Sequence, residues 1–150
     1  MKKIYIGADH AGFELKEKLI PFIKGLGFEI VDKGAFALDL LDDYPDFIAL
    51  VAKAIAADDS AFGIVIGGSG QGEAIVANRF KGVRAAVYYG GNPEIVKISR
   101  EHNDSNALAI GARFASAAEA KRAVALWLAT PFSNEERHVR RLNKIDELTN

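Results

Sequence analysis

The chain has 150 residues, enough for one domain with a sizeable core. Hydrophobic residues make up 49% but are too interrupted for a membrane span, and a net charge of −1 without a long basic run argues against nucleic acid as the main partner. The absence of cysteine excludes disulfides, thiolate metal sites and a thiol nucleophile; the start, Met-Lys-Lys and a short Ile-Tyr-Ile run, lacks a signal peptide's apolar stretch, so a cytoplasmic protein is expected.

Short apolar runs alternate with longer helical patterns from end to end. A strand is predicted over residues 3–6 and an amphipathic helix over 13–26, with Asp9 and His10 between them. That pair reads either as a helix cap beside an exposed imidazole or as a polarised imidazole near a sugar hydroxyl or phosphate. A strand over 28–31 leads to Asp43-Tyr44-Pro45-Asp46, a turn whose Asp46 caps a helix over 46–57 and whose Tyr44 is placed to edge a pocket.

The third predicted strand, 62–66, runs straight into Gly67-Gly68-Ser69-Gly70-Gln71-Gly72-Glu73, with a helix over 71–80. Four glycines within six positions let the backbone approach a ligand and turn its N–H groups toward it. The helix N-terminus adds partial positive charge, so the loop suits a phosphate or a developing oxyanion. Glu73 places a carboxylate at the edge of that cradle, which suits proton transfer beside a carbonyl. The loop is neither a P-loop nor a dinucleotide fingerprint, and Gln71 stands where a nucleophile elbow needs glycine. A plain strand-to-helix turn, with Glu73 favouring the helix dipole, remains the competing reading.

A strand over 85–88 and a helix over 93–102 follow, then His102-Asn103-Asp104 and a strand over 107–110. Ligands collect at the carboxyl ends of parallel strands, so His102 and Asn103, which precede a strand, fall at the opposite end unless the helix is short or bent. Gly111-Ala112-Arg113 follows the fifth strand, then a helix over 115–129, the Pro131 break, and a basic helix over 134–148. Arg137 and Arg141 lie one turn apart on that last helix. The spacing suits a phosphate held by two guanidinium forks, or a basic surface satisfied by Glu135 and Glu136. Three histidines in no ligand-like pattern make metal ligation unexpected, and a metal-free site would move a proton through an enediolate rather than shift a hydride.

The alternation implies an α/β fold: one domain over 1–150, a Rossmann-like α/β/α sandwich around a five-stranded parallel sheet, with an extra C-terminal helix free to pack on a partner subunit.

The ordered set Gly7-Ala8-Asp9-His10-Ala11-Gly12, Asp43-Tyr44-Pro45-Asp46, Gly67 to Glu73 with Ala77-Asn78, Ser99 to Asp104, Gly111-Ala112-Arg113, and Arg137-His138 with Arg141 resembles the ribose-5-phosphate isomerase B family. That family also includes allose- and galactose-phosphate isomerases. The resemblance implies metal-free, cofactor-free aldose–ketose isomerisation of a sugar phosphate. It implies a homodimer with active sites shared across the interface, with pairing into tetramers left open. Many members carry a catalytic Cys at the position of Gly67; with glycine there, this chain looks like the branch in which Glu73 moves the proton. The loop Gly68, Ser69, Gly70, Gln71 and Gly72 matches the oxyanion site, Asn103 the group holding the reacting oxygens, and His102 or Asp9 the ring-opening residue. His10, Arg113, Arg137 and Arg141 match phosphate contacts, the last two reaching the partner's site.

Two segments depart from the family pattern, the apolar stretch 35–42 and Tyr88-Tyr89-Gly90-Gly91-Asn92-Pro93 with its glycine-proline turn, and both are expected to border the sugar. Ribose 5-phosphate is the expected substrate. The alternatives are a six-carbon sugar phosphate or, from another class, a non-catalytic phosphate- or nucleotide-binding module.

Overall fold

A computed structural model describes residues 2–149. The first half contains β1 (Lys3–Ala8), α1 (Phe13–Gly25), β2 (Glu29–Asp32), α2 (Tyr44–Ala56), β3 (Phe62–Gly67) and α3 (Gln71–Ala77). The second contains β4 (Ala85–Tyr88), α4 (Glu94–Asn103), β5 (Ala107–Gly111), α5 (Ala117–Ala129) and α6 (Glu136–Thr149). All strand pairs are parallel, in the order β2-β1-β3-β5-β4.

β3 is central and buried along its whole length. Its side chains alternate between faces, as the period of two dictates: Phe62, Ile64 and Ile66 join one core and Val65 the other. Leu15, Leu19 and Ile23 of α1, Val96 of α4, and Ala123, Val124 and Trp127 of α5 cover the first face. Ile48, Val51, Ala52 and Ile55 of α2, at helical spacing, cover the second together with Ala74 and Ala77 of α3. Trp127 is fully buried against Phe62, and its Nε1–H donates to the Ser105 hydroxyl at 2.8 Å, so its one polar atom is satisfied. No helix among the described residues is long and apolar enough to cross a membrane.

Several element ends differ from expectation for local reasons. α2 starts at Tyr44, with Asp43 extended at the N-cap and Pro45 in the first turn, so Asp46 sits inside the helix instead of capping it. α3 stops at Ala77 because Asn78 turns the chain: its side-chain amide pairs with both the N–H and the C=O of Ala85 at the start of β4. α5 begins only at Ala117, where Ser116 and Glu119 form a reciprocal capping box. The Glu119 carboxylate also accepts from the Gly91 N–H at 3.1 Å, tying the turn after β4 to α5. α6 begins at Glu136 because Asn134 has a positive φ of 57°. This last helix packs on α4 and buries His138 alone among its described residues.

Candidate active site

The strand order reverses between β1 and β3: the chain goes from β1 outward to β2, and β3 lies on the other side. Open α/β sheets leave a crevice at such a switch, outside the carboxyl ends of the strands. Asp9 and His10 follow β1 there, Gly67 to Glu73 end β3 and open α3, and Arg113 follows β5. The loop is pinned to the end of β5 by two bonds: the N–H of Ala112 donates to Gly67 O at 2.8 Å and that of Arg113 to Gly68 O at 3.0 Å. Gly70 adopts the left-handed conformation at φ 80°, which favours glycine, and the Ser69 hydroxyl accepts from the Gln71 N–H.

Glu73 is buried, 3% exposed, and its carboxylate folds back over Gly67. A Cβ built on Gly67 overlaps that carboxylate, so the glycine leaves the space the acid occupies. Burial raises the Glu73 pKa, and the negative charge of Asp9 adds to the rise. The backbone N–H groups of Glu73 and Gly70 pull it partly back. The result is a carboxylate shielded from water and poised to hold a proton more tightly than an exposed glutamate does. The following helix, α3, is only seven residues long, so burial and the loop amides, more than a long helix dipole, set the character of the site.

Around this acid, Tyr44 packs its ring on the loop: a Cβ on Gly72 would lie 2.6 Å from Tyr44 Cζ. Arg113 lies against the start of the loop, its Nη1 3.1 Å from where a Cβ on Gly68 would be. Asp9 is buried but does not cap α1, whose N-cap is Gly12; its Oδ1 accepts from the Gly12 N–H at 3.2 Å in a turn. His10 is not a free exposed imidazole either. Its Nδ1 lies 2.6 Å from Asp42 Oδ1, and the same oxygen accepts the His10 backbone N–H at 3.0 Å. The bond to Asp42 is the main cause of a raised His10 pKa; Asp9 and Asp42 add attraction, while burial and Arg113 oppose it. Asp9, His10 and Asp42 bring one ligand-type atom each within 4.8 Å of one another; His10 Nδ1 is already bonded to Asp42, while Asp9 Oδ2 stands 4.0 Å from it, outside hydrogen-bond reach.

Sequence reasoning did not single out Asp42. It stands in the apolar 35–42 segment, 32 positions from its partner, so no local spacing points to the pair. Ala35 is buried, and beyond it the segment turns its large apolar side chains outward, with Phe36, Leu38, Leu40 and Leu41 exposed.

His102, Asn103, Arg137 and Arg141 are not gathered at Glu73. α4 ends at Asn103 just before β5, at the amino ends of the strands. Crossing five residues of a central strand separates that end from the Gly67 loop by roughly 16 Å. There the His102 ring stacks on His138 at 4.3 Å between centroids, and the His138 Nδ1 is 2.8 Å from the Ser133 hydroxyl. Arg100, buried, anchors this corner by donating to Thr130 O, Ser105 O and the Asp104 carboxylate. Arg137 pairs with Glu135 at 3.0 Å, whereas Glu136 pairs with Arg140 and not with Arg141. A cavity of about 680 Å³ opens between residues 78–86, α4 and α6, with Asn103 on its wall and Glu73 outside it. A single chain therefore presents two separated clusters, one with the buried acid and one with the stacked histidine and the basic helix.

The family model described as Ribose/Galactose Isomerase matches residues 4–145 of this chain. Ribose-5-phosphate isomerase B of Mycobacterium leprae (strain TN) is 41% identical over 145 residues, covering 97% of this chain and 88% of that protein. Among solved structures, ribose-5-phosphate isomerase B of Clostridium thermocellum superposes with a TM-score of 0.91 at 42% identity, covering 97% of this chain and 96% of the other. That of Mycoplasma genitalium, with bound ribulose-5-phosphate, superposes with a TM-score of 0.93 at 35% identity, covering 97% and 95%.

The raised Glu73 pKa has a thermodynamic consequence. A carboxyl that holds its proton more tightly when folded makes stability decline as pH rises from the ordinary glutamate value, about 4.3, through the folded value. Glu73→Gln cannot ionise and should melt at a higher temperature than the wild type at pH 8, the margin shrinking as pH falls toward 4.5. Thermal unfolding across that range checks it. A variant no more stable at pH 8, or one whose advantage grows on acidification, contradicts the assigned environment.

Proposed function

This chain belongs to the ribose/galactose isomerase family, and we propose that within it the chain interconverts ribose 5-phosphate and ribulose 5-phosphate in the cytoplasm, with Glu73 as the proton carrier. The observation that carries the reading is the buried Glu73 carboxylate set over Gly67 beside a glycine loop. With the sugar open, Glu73 takes the proton from C2. The C–H electron pair becomes the C1=C2 double bond, and negative charge moves onto O1. Loop N–H groups from Gly68 to Gly72, with the Ser69 hydroxyl, stabilise that cis-enediolate. The proton on O2 passes to O1 and Glu73 returns its proton to C1, leaving the ketone at C2. No redox partner is consumed. The rival reading, a non-catalytic phosphate- or nucleotide-binding module, leaves a buried carboxylate facing an anion with no task and at an electrostatic cost.

His10 and Arg113 hold the phosphate on one side, with Tyr44 against the loop. His102, as ring-opening acid, Asn103, Arg137 and Arg141 serve the site of a second copy. A two-fold dimer brings the amino-end cluster of each chain to the carboxyl-end cluster of its partner, twice over, because such an interface is self-complementary. Two observations favour this: the separation of the clusters within one chain, and the apolar Val139, Ile145 and Leu148 left exposed on α6. Asp9, buried near Glu73, shapes the charge around the base and is a second candidate for ring opening.

The reaction is tested by a turnover screen of pentose and hexose phosphates in heavy water. Ribose 5-phosphate should give the highest kcat/KM, its product carrying solvent deuterium at C1. A marked preference for a hexose phosphate contradicts the substrate; full retention of the substrate hydrogen contradicts the enediolate route.

The shared site is tested by mixing two impaired subunits and assaying at substrate well below KM. Glu73→Gln should lower kcat by a factor on the order of 10² to 10⁴. Arg141→Ala should raise KM by about ten- to a hundredfold, the value of a lost charge-assisted hydrogen bond. A heterodimer of the two has one site with both defects and one with neither, so mixing should restore up to about half the activity per heterodimer. If the arginines serve their own subunit, no rescue appears.

A further inference from the structure

We propose that Asp42 is a positioning residue for phosphate recognition: it fixes His10 through Nδ1 as an imidazolium whose Nε2–H is presented to the phosphate. The inference rests on the sugar-phosphate reading above. At 2.6 Å the contact has the shortness of a charge-assisted hydrogen bond. The same Asp42 oxygen also holds the His10 backbone N–H, so the acceptor is fixed relative to the main chain and the ring cannot swing away without breaking the Nδ1 bond. The Asp42 side chain is only 8% exposed, and its Oδ2 is buried with no hydrogen-bond partner among the described residues. A carboxylate so far removed from water is costly unless a positive charge faces it, and the imidazolium supplies that charge.

The charged groups around His10 agree. Asp9 Oδ2 lies 4.0 Å from Nδ1, and Asp42 is in contact; Arg113 opposes them from the Gly68 side. Two carboxylates against one guanidinium favour the protonated ring before any ligand arrives. Because Nδ1 is taken by Asp42, Nε2 is the nitrogen left to donate. His10 and Arg113 then offer two cations to one dianion, a stronger seat than a neutral imidazole and a guanidinium.

Nitrogen-detected NMR of histidine-labelled protein without substrate tests the geometry directly. Wild-type His10 should titrate above the ordinary value of about 6.5, and Asp42→Asn should lower its pKa by about one unit or more. Kinetics with ribose 5-phosphate form a second arm. Asp42→Asn should raise KM at pH 7.5 by up to about tenfold, the limit that a one-unit fall in the His10 pKa sets, while kcat changes less than about twofold. The KM difference should shrink toward pH 5.5, where the ring is protonated without help. In a His10→Asn background, adding Asp42→Asn should raise KM no further. Wild-type His10 titrating at or below 6.5, an unchanged pKa in the variant, a pH-independent KM defect, or an added defect in the double variant would each overturn the proposal. The wild-type titration decides even if Asp42→Asn does not fold. Failure to turn over ribose 5-phosphate would refute the substrate reading while leaving the NMR result to judge the Asp42–His10 pair.

Discussion

Glu73 turns its carboxylate back over Gly67, into space that any side chain at position 67 would fill. The other features of the site follow from that contact. Because the strand ends in a glycine, the acid lies against the end of the central strand, out of water, and burial raises its affinity for a proton. The loop that carries it is held to β5 by backbone bonds, so the carboxylate sits on a rigid frame. Tyr44 packs on that frame at Gly72 and Arg113 at Gly68.

The sheet order decides what one chain can and cannot do. With every strand parallel, the segments after β1, β3 and β5 converge at one end, which assembles the base, Asp9, His10 and Arg113. The same rule sends His102 and Asn103, which precede β5, to the other end. The proposed dimer is thus a geometric remedy: the fold scatters residues that a two-fold axis can reunite. The stacked His102–His138 pair and the Ser133 hydroxyl keep the α4–α6 corner ordered within its own subunit.

Much of this was legible in the sequence because the relevant signals are local. The apolar run at 62–66 followed by glycines marks a buried strand meeting a ligand loop, and Glu73 is read from the same stretch. The separation of His102 from Glu73 is legible in part: a residue that precedes a parallel strand falls at its amino end, and only the structure shows that α4 is neither short nor bent enough to bring it round. The resemblance to sugar-phosphate isomerases rests on short motifs in a fixed order, and the family match spans residues 4–145. What the sequence concealed is tertiary. Asp42 meets His10 across 32 positions, and nothing in its neighbourhood marks it out, whereas Asp43 beside it opens the Asp-Tyr-Pro-Asp motif. Asp46 looks like a cap because it precedes an apolar run, yet Pro45 starts the helix earlier and leaves Asp43 at the N-cap. The early end of α3 depends on Asn78 meeting Ala85, a pairing visible only once β4 is in place.

The account depends most on the Gly67 space, and Gly67→Ala tests it most directly. The three atoms nearest the added methyl all belong to the Glu73 carboxylate, the end of a side chain with rotamers to turn to, so the fold should survive with an unchanged circular dichroism spectrum while the carboxylate is driven from its place. Ribose 5-phosphate turnover should then fall by a factor on the order of 10² or more, toward the level left by removing the base. A folded Gly67→Ala protein with turnover close to that of the wild type would contradict the central claim that Glu73 acts from the space over Gly67.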